Sequence, residues 1–195
     1  MAARIITAVR SRDDQRLTVE LDGKAWITLD PVTAARLGLH VDRTLAPGEV
    51  AAAEEAARSE QALLRGAALV GQRSHARGEL ERRLARRAGD DAAQTAVERL
   101  ADLGIVDDER HASELTAHRL RAGWGPARIE HDLRAAGVAE TLIRCTLDEL
   151  DDDALDAAAR VALGARSGAA GWQRLAARGF DEAVAERLLG TPDLL

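Results

Sequence analysis

Two adjacent carboxylates, Asp107 and Asp108, stand between LADLG and ERHASEL. Such a pair can work as general acid and base, or hold a divalent cation. It also has a plainer use. An aspartate at a helix start accepts hydrogen bonds from the free N–H groups of the first turn, and its charge suits that end, together about 0.3–2 kcal/mol. LADLG reads as a helix ending in glycine and ERHASEL as a helix beginning, so the pair sits where caps belong. No second carboxylate or histidine motif converges on it in sequence. We read Asp107-Asp108 as punctuation between helices.

The other candidates for chemistry are thin. His40, His75, His111, His118 and His131 show no HExxH or comparable metal spacing. They are expected to be solvated or at the edge of a core. No GxxxxGK[ST], GxGxxG or GxSxG occurs. Cys145 is the single cysteine, which excludes a disulfide framework and a cysteine zinc site. It falls on an expected apolar stripe and reads as a small core residue. The acidic run LDELDDDALD, residues 147–156, reads as a solvated linker followed by a capped helix. The expectation is a chain with no catalytic residue, cofactor or metal, and therefore no enzyme.

Arginines are the more informative group. Seven lie between residues 65 and 87: Arg65, Arg73, Arg77, Arg82, Arg83, Arg86 and Arg87, against Glu79 and Glu81. On a helical wheel anchored at Leu80, Arg82 and Arg86 point to solvent, while Arg83 and Arg87 flank the apolar face. Glu79 is spaced to pair with Arg82 and Arg83 at i+3 and i+4. A thinner patch holds Arg119, Arg121, Arg128 and Arg134. Both patches surround helix starts, where exposed N–H groups also favour anions. Ten of these arginines are candidate partner contacts: Arg73, Arg77, Arg82, Arg83, Arg86, Arg87, Arg119, Arg121, Arg128 and Arg134. They stand out against a net charge of −6, which counts against an autonomous duplex-DNA binder. Aromatics are 2% of the chain, too few for stacking on single-stranded bases.

These residues must be held by elements that the pattern of apolar residues predicts. RIITAVRS, RLTVELD and KAWITL alternate apolar and polar positions as half-buried strands do. Asp13-Asp14 and Asp22-Gly23 separate them, the second pair being a strong hairpin signal. Asp30-Pro31 opens a helix that ends near Gly38. From residue 49 onward only helix formers remain, broken by Gly, Ser and Asp, and a pattern recurs. Leu80-Leu84, Ile129-Leu133 and Leu175 each lead to a glycine (Gly89, Gly137, Gly179) and a second short helix. Longer helices precede each copy, near 51–72, 107–122 and 152–166. The middle helices are expected to start at Ser74 and at Gly125-Pro126. The expected fold is mainly α: three tandem three-helix repeats in an elongated array, preceded by a small three-stranded β appendage with one helix. The expected divisions are 1–48, 49–105, 106–150 and 151–195. The first residues lack the apolar run of a secretory signal, and no stretch suits a membrane span, so the cytoplasm is the expected location.

Three passages carry a resemblance to a known family. RSHARGELERRL, LADLGIVDDERHASEL and GWGPARIEHDLRAAGV resemble, in order and spacing, the motifs of the RecX regulatory proteins, and LAARGFDEAVAERLL is similar to their C-terminal segment. His111 stands where the family usually has Phe, Asp90 follows the first repeat glycine, and Gly78 interrupts a helix. The resemblance implies a non-enzymatic regulator of the RecA recombinase, and the chain is expected to be a monomer. Such a protein binds RecA filaments on single-stranded DNA, with at most weak DNA contact of its own. It lowers ATP hydrolysis and strand exchange, and so tunes homologous recombination, DNA repair and the SOS response. The residues alone also allow a direct DNA-binding protein built of helix-turn-helix-like units.

Overall fold

The computed structural model describes residues 3–13 and 15–191. The fold is mainly helical with a small sheet at the N-terminal end. Strands β1 (Arg4–Asp13), β2 (Arg16–Leu21) and β3 (Lys24–Leu29) form an antiparallel meander. The Asp22-Gly23 turn joins β2 to β3, with φ of 52° and 79° at the two residues. That is the positive-φ pair a tight hairpin needs. Asp14, half of the other expected separator, lies outside the described residues. A fourth strand, β4 (Thr44–Leu45), pairs with β1, giving the order β3-β2-β1-β4. Two residues carry no alternation, so sequence pattern did not reveal it.

Helix α1 (Pro31–Arg36) opens as expected: the Asp30 carboxylate accepts from the N–H groups of Val32 (2.8 Å) and Thr33 (2.9 Å). Helices α2 (Pro47–Val70), α3 (Arg77–Ala88) and α4 (Asp90–Asp102) follow, then α5 (Asp108–Arg121), α6 (Pro126–Ala136) and α7 (Glu140–Asp148), then α8 (Asp152–Leu163), α9 (Gly168–Ala177) and α10 (Glu182–Leu189). Each triplet is one long or medium helix and two shorter ones. The glycine between the second and third helix has φ near +85° every time: 86° at Gly89 and Gly137, 83° at Gly179. Glycine is the residue that takes such a positive φ without strain, and the turns it makes differ, with ψ of 164° at Gly89 and 27° at Gly137. One boundary departs from expectation. Helix α3 begins at Arg77, not at Ser74, and the Ser74 hydroxyl lies 3.2 Å from His111 Nδ1.

The described residues form two compact units, one within residues 3–73 and 80–105, the other within 74–79 and 106–191. In the first, Ile6, Val19, Leu21, Leu29 and Leu45 share a core with Ala53 of α2. A sheet this small needs such a partner. Polar contacts fasten it as well: Trp26 Nε1 donates to Glu54 (2.8 Å), and the Asp30 N–H donates to Glu60 (2.9 Å). Gly66 of α2 leaves room for Leu100 and Leu84, so α3 and α4 pack close against it.

In the second unit, Ile129, Leu133, Val138 and Ile143 form one core with Ala76 and Ala112, and Leu163, Leu175, Phe180 and Val184 form another with the alanines of α8. Leu120 packs against both. Cys145 corrects an expectation: it is exposed. On α7 the buried position is Ile143, with Leu142, Thr146 and Leu147 half-buried. Residue 145 lies about 200° around the helix from 143, on the other side.

The Asp30–Glu60 pair allows a pH prediction. Burial pushes the Asp30 carboxyl up, but the hydrogen bonds it accepts from Thr33 and Val32 outweigh burial and hold it below its ordinary value. Burial pushes Glu60 up, and the nearby Asp30 charge adds to that. A depressed carboxyl stabilises the fold above its unfolded pKa and loses that contribution as pH falls through its folded pKa. A raised one works the other way, so the two oppose each other in the acid range. Asp30→Asn keeps an acceptor for the cap and removes the charge facing Glu60. Glu60 is then expected to titrate lower than in the unmodified chain, followed by carboxyl NMR. An unchanged Glu60 titration contradicts the assignment.

Candidate partner-binding surface

Asp107 and Asp108 are both engaged as caps. Asp107 is the N-cap of α5 and accepts from the Arg110 N–H at 3.0 Å. Asp108 reaches across to the start of α3 and accepts from the Arg77 N–H at 2.8 Å. That N–H is one of the orphan donors at a helix start, and nothing in the local sequence of α3 supplies its acceptor. Asp107→Ala is expected to cost about 1 kcal/mol of stability, the usual value of a lost cap. Urea denaturation measures it, and an unchanged midpoint contradicts the capping role. Asp151 and Asp181 cap α8 and α10 in the same way, at 2.7 and 3.0 Å. The acidic run is thus partly consumed at home: Asp152 and Asp156 also pair with Arg187, at 3.1 and 2.8 Å.

His75 and His111 are buried, at 2% and 5% exposure, while His40, His118 and His131 are exposed. His75 Nδ1 lies 3.2 Å from a Glu79 carboxylate oxygen, out of line for a hydrogen bond. Among the described residues no three imidazole, thiol or carboxylate groups gather as metal ligands would.

The two arginine patches differ sharply. In the second, Asp132 lies between two arginines, 2.6 Å from Arg119 and 3.1 Å from Arg128. Arg134 is shared by Glu130 (2.7 Å) and Glu140 (2.8 Å). Its hydrogen bonds hold the Glu140 carboxyl below the ordinary range. Arg121 donates to the Ala117 carbonyl at 3.2 Å. Arg128 also lies over the Trp124 ring, 5.1 Å from its centroid, and Arg178 covers the ring at 4.1 Å. Sequence pattern missed this joint. The Gly125 N–H donates to the Arg178 carbonyl (2.8 Å) and the Ala127 N–H to the Gly179 carbonyl (3.1 Å). GWGP therefore clamps the start of α6 onto the turn between α9 and α10. An analogous approach explains Gly78 inside α3: a Cβ there would lie 3.1 Å from the Gly137 Cα, in the turn between α6 and α7.

In the first patch, Arg73, Arg77, Arg82, Arg83, Arg86 and Arg87 are all exposed. Arg83, Arg86 and Arg87 join Arg65 around a cleft of about 510 Å3 between α2 and α3. Arg86, which the helical wheel directs to solvent, is exposed and still reaches the rim. Ala62, Leu69 and Leu84 line the cleft, and no acidic residue does. Among the described residues, none of these four arginines has a carboxylate within ion-pair distance. A concave surface of unneutralised guanidinium groups suits an anionic partner.

Known proteins resemble this chain in sequence and in fold. A family model described as RecX, second three-helix domain, matches residues 107–147. A regulatory protein RecX of Pseudomonas fluorescens is 31% identical over 136 residues, covering 65% of this chain and 88% of that protein. The chain belongs to the RecX family of regulatory proteins. A RecX of Halorhodospira halophila is 39% identical over 106 residues, 54% of this chain. This chain spans 63% of that relative and 60% of a RecX of Stenotrophomonas maltophilia. A crystal structure of a RecX regulatory protein superposes with a TM-score of 0.72 at 17% identity, covering 94% of this chain and 97% of that one. The RecX structure from Lactobacillus salivarius gives 0.58 at 16% identity, over 71% of this chain and 98% of that one. These likenesses show the RecX fold. The RecX relatives are named regulatory proteins, and among the described residues no helix is long and apolar enough to cross a membrane.

Proposed function

We propose that this chain is a cytoplasmic, monomeric, non-catalytic modulator of RecA filaments on single-stranded DNA, lowering their ATP hydrolysis and strand exchange. In that role it tunes homologous recombination, DNA repair and the SOS response. The observation that carries the proposal is the arginine-rimmed cleft of α2 and α3, unneutralised in a chain of net charge −6 that belongs to the RecX family. Of the ten candidate arginines, Arg83, Arg86 and Arg87, which line the cleft, then lead. Arg119, Arg128 and Arg134 already hold carboxylates and offer a partner less. The capping roles of Asp107 and Asp108 support the non-catalytic reading. We also propose the division into an N-terminal β module at 1–48 and three-helix repeats at 49–105, 106–150 and 151–195.

The test is the DNA-dependent ATPase of the host's RecA with this chain titrated in, beside a measurement of its binding to bare single strands. Inhibition with weak bare-strand binding supports the proposal. An unchanged ATPase, with tight and salt-sensitive binding to bare DNA, overturns it in favour of a direct DNA binder.

A further inference from the structure

The α2–α3 cleft says more about its occupant than its charge does. On α3, Arg83, Arg86 and Arg87 are spaced i, i+3, i+4 and form one strip of a helix surface. On α2, Gln61 and Arg65 are spaced i, i+4 and form another, with Gln72 just beyond the helix end. Between the strips the accessible lining is apolar: Ala68 is exposed and Leu69 and Ala88 are half-buried, with Ala62 and Leu84 closed beneath them. Cationic rims around a leucine and alanine floor are the complement of an amphipathic helix with leucines on one face and carboxylates beside them. A nucleic-acid strand would use only part of this surface. Its phosphates would meet the arginines, but its bases would find no aromatic platform, since none of the lining residues is aromatic.

We propose that the cleft between α2 and α3 is the docking groove for an acidic, leucine-bearing amphipathic helix of a partner protein. The inference rests on the reading of this chain as a regulator that works through partner contacts, and it names the chemistry of one such contact. The apolar floor provides the burial, and Arg65, Arg83, Arg86 and Arg87 set orientation and on-rate. Because the arginines are exposed, binding weakens as salt rises.

The experiment is fluorescence anisotropy on the full chain with a labelled peptide of about 15 residues, roughly four helical turns, carrying Leu and Glu at helical spacing. A scrambled peptide of the same composition and an oligothymidylate are the comparison probes. The expected result is saturable binding of the patterned peptide and weaker binding of both others. Arg83→Glu with Arg87→Glu is expected to weaken the peptide about tenfold or more, with circular dichroism unchanged. Leu69→Ala, at a half-buried position, is expected to weaken the peptide and leave oligothymidylate unaffected. Absence of patterned-peptide binding, or equal binding of the scrambled peptide, overturns the proposal. So does tighter oligothymidylate binding that depends on the same arginines and ignores Leu69, which makes the cleft a nucleic-acid site. The RecA ATPase separates this failure from that of the functional reading. Inhibition without peptide binding discards the helix groove alone, and peptide binding without inhibition discards the RecA role alone.

Discussion

Gly125→Ala lowers the stability of the fold by about 3 kcal/mol, the upper range for forcing a methyl group into a closed contact. The cost does not come from the backbone conformation, since φ −90° and ψ 175° suit alanine as well as glycine. It comes from what the new Cβ meets: the Gly179 carbonyl carbon at 2.5 Å and the Phe180 nitrogen at 2.6 Å, with the Gly179 oxygen closer still. These are backbone atoms, which cannot rotate aside as a side chain can. Relief requires the start of α6 to draw back from the turn between α9 and α10. That breaks the bonds from Gly125 to Arg178 and from Ala127 to Gly179 and loosens both cations on Trp124. Gly48, in the first turn of α2, is the control: a Cβ there meets nothing within 4 Å. Gly48→Ala is expected to be neutral or to stabilise by up to about 1 kcal/mol. Urea denaturation of both variants checks the pair. A Gly125→Ala midpoint equal to that of the unmodified chain refutes the clamp.

Leu133→Ala is expected to cost about 2–5 kcal/mol, the range for emptying a leucine site in a closed core. Leu133 is fully buried and shares its cluster with Ile129, Val138, Ile143, Ala76 and Ala112. The cluster is aliphatic throughout and two of these neighbours are alanines, whose single methyl groups cannot swing into the space left behind. The cavity therefore stays open, which places the cost in the upper half of the range. Leu64→Ala, at a site 44% exposed, is expected to change stability by less than about 0.5 kcal/mol. Similar midpoints for the two variants refute the assignment of Leu133 to the core.

Much of the fold was legible because it depends on local chemistry. The caps at Asp30-Pro31, Asp107 and Asp151, Pro126 at the start of α6 and the positive φ of Gly89, Gly137 and Gly179 are each set within a few residues, while the contact of Gly125 with Gly179 is not. A cap or a positive φ is decided by near neighbours, so the order of strands and helices and the threefold recurrence could be read directly. The capping role of Asp107 was equally local, and with it the case against a catalytic carboxylate pair. The errors share the opposite character. Strand β4 exists because β1 offers it an edge, and two residues cannot announce that. Helix α3 starts at Arg77, where its first N–H meets Asp108, a residue 31 positions away. Cys145 faces outward because Ile143 sets which side of α7 is buried.

The candidate site divides along the same line. The residue types alone determined that this chain carries clustered arginines on a net-negative background and no recognisable catalytic motif. They could not determine which arginines remain available, because a charge is neutralised by whatever carboxylate the packing brings within about 4 Å, at any distance along the chain. Arg119 and Asp132 are 13 residues apart in the chain and in contact at 2.6 Å, and Trp124 meets Arg178 from another helix triplet. Only the tertiary structure therefore separated two patches that look alike in sequence. It tied one up in ion pairs and set Arg65, Arg83, Arg86 and Arg87 of the other around a cleft between α2 and α3.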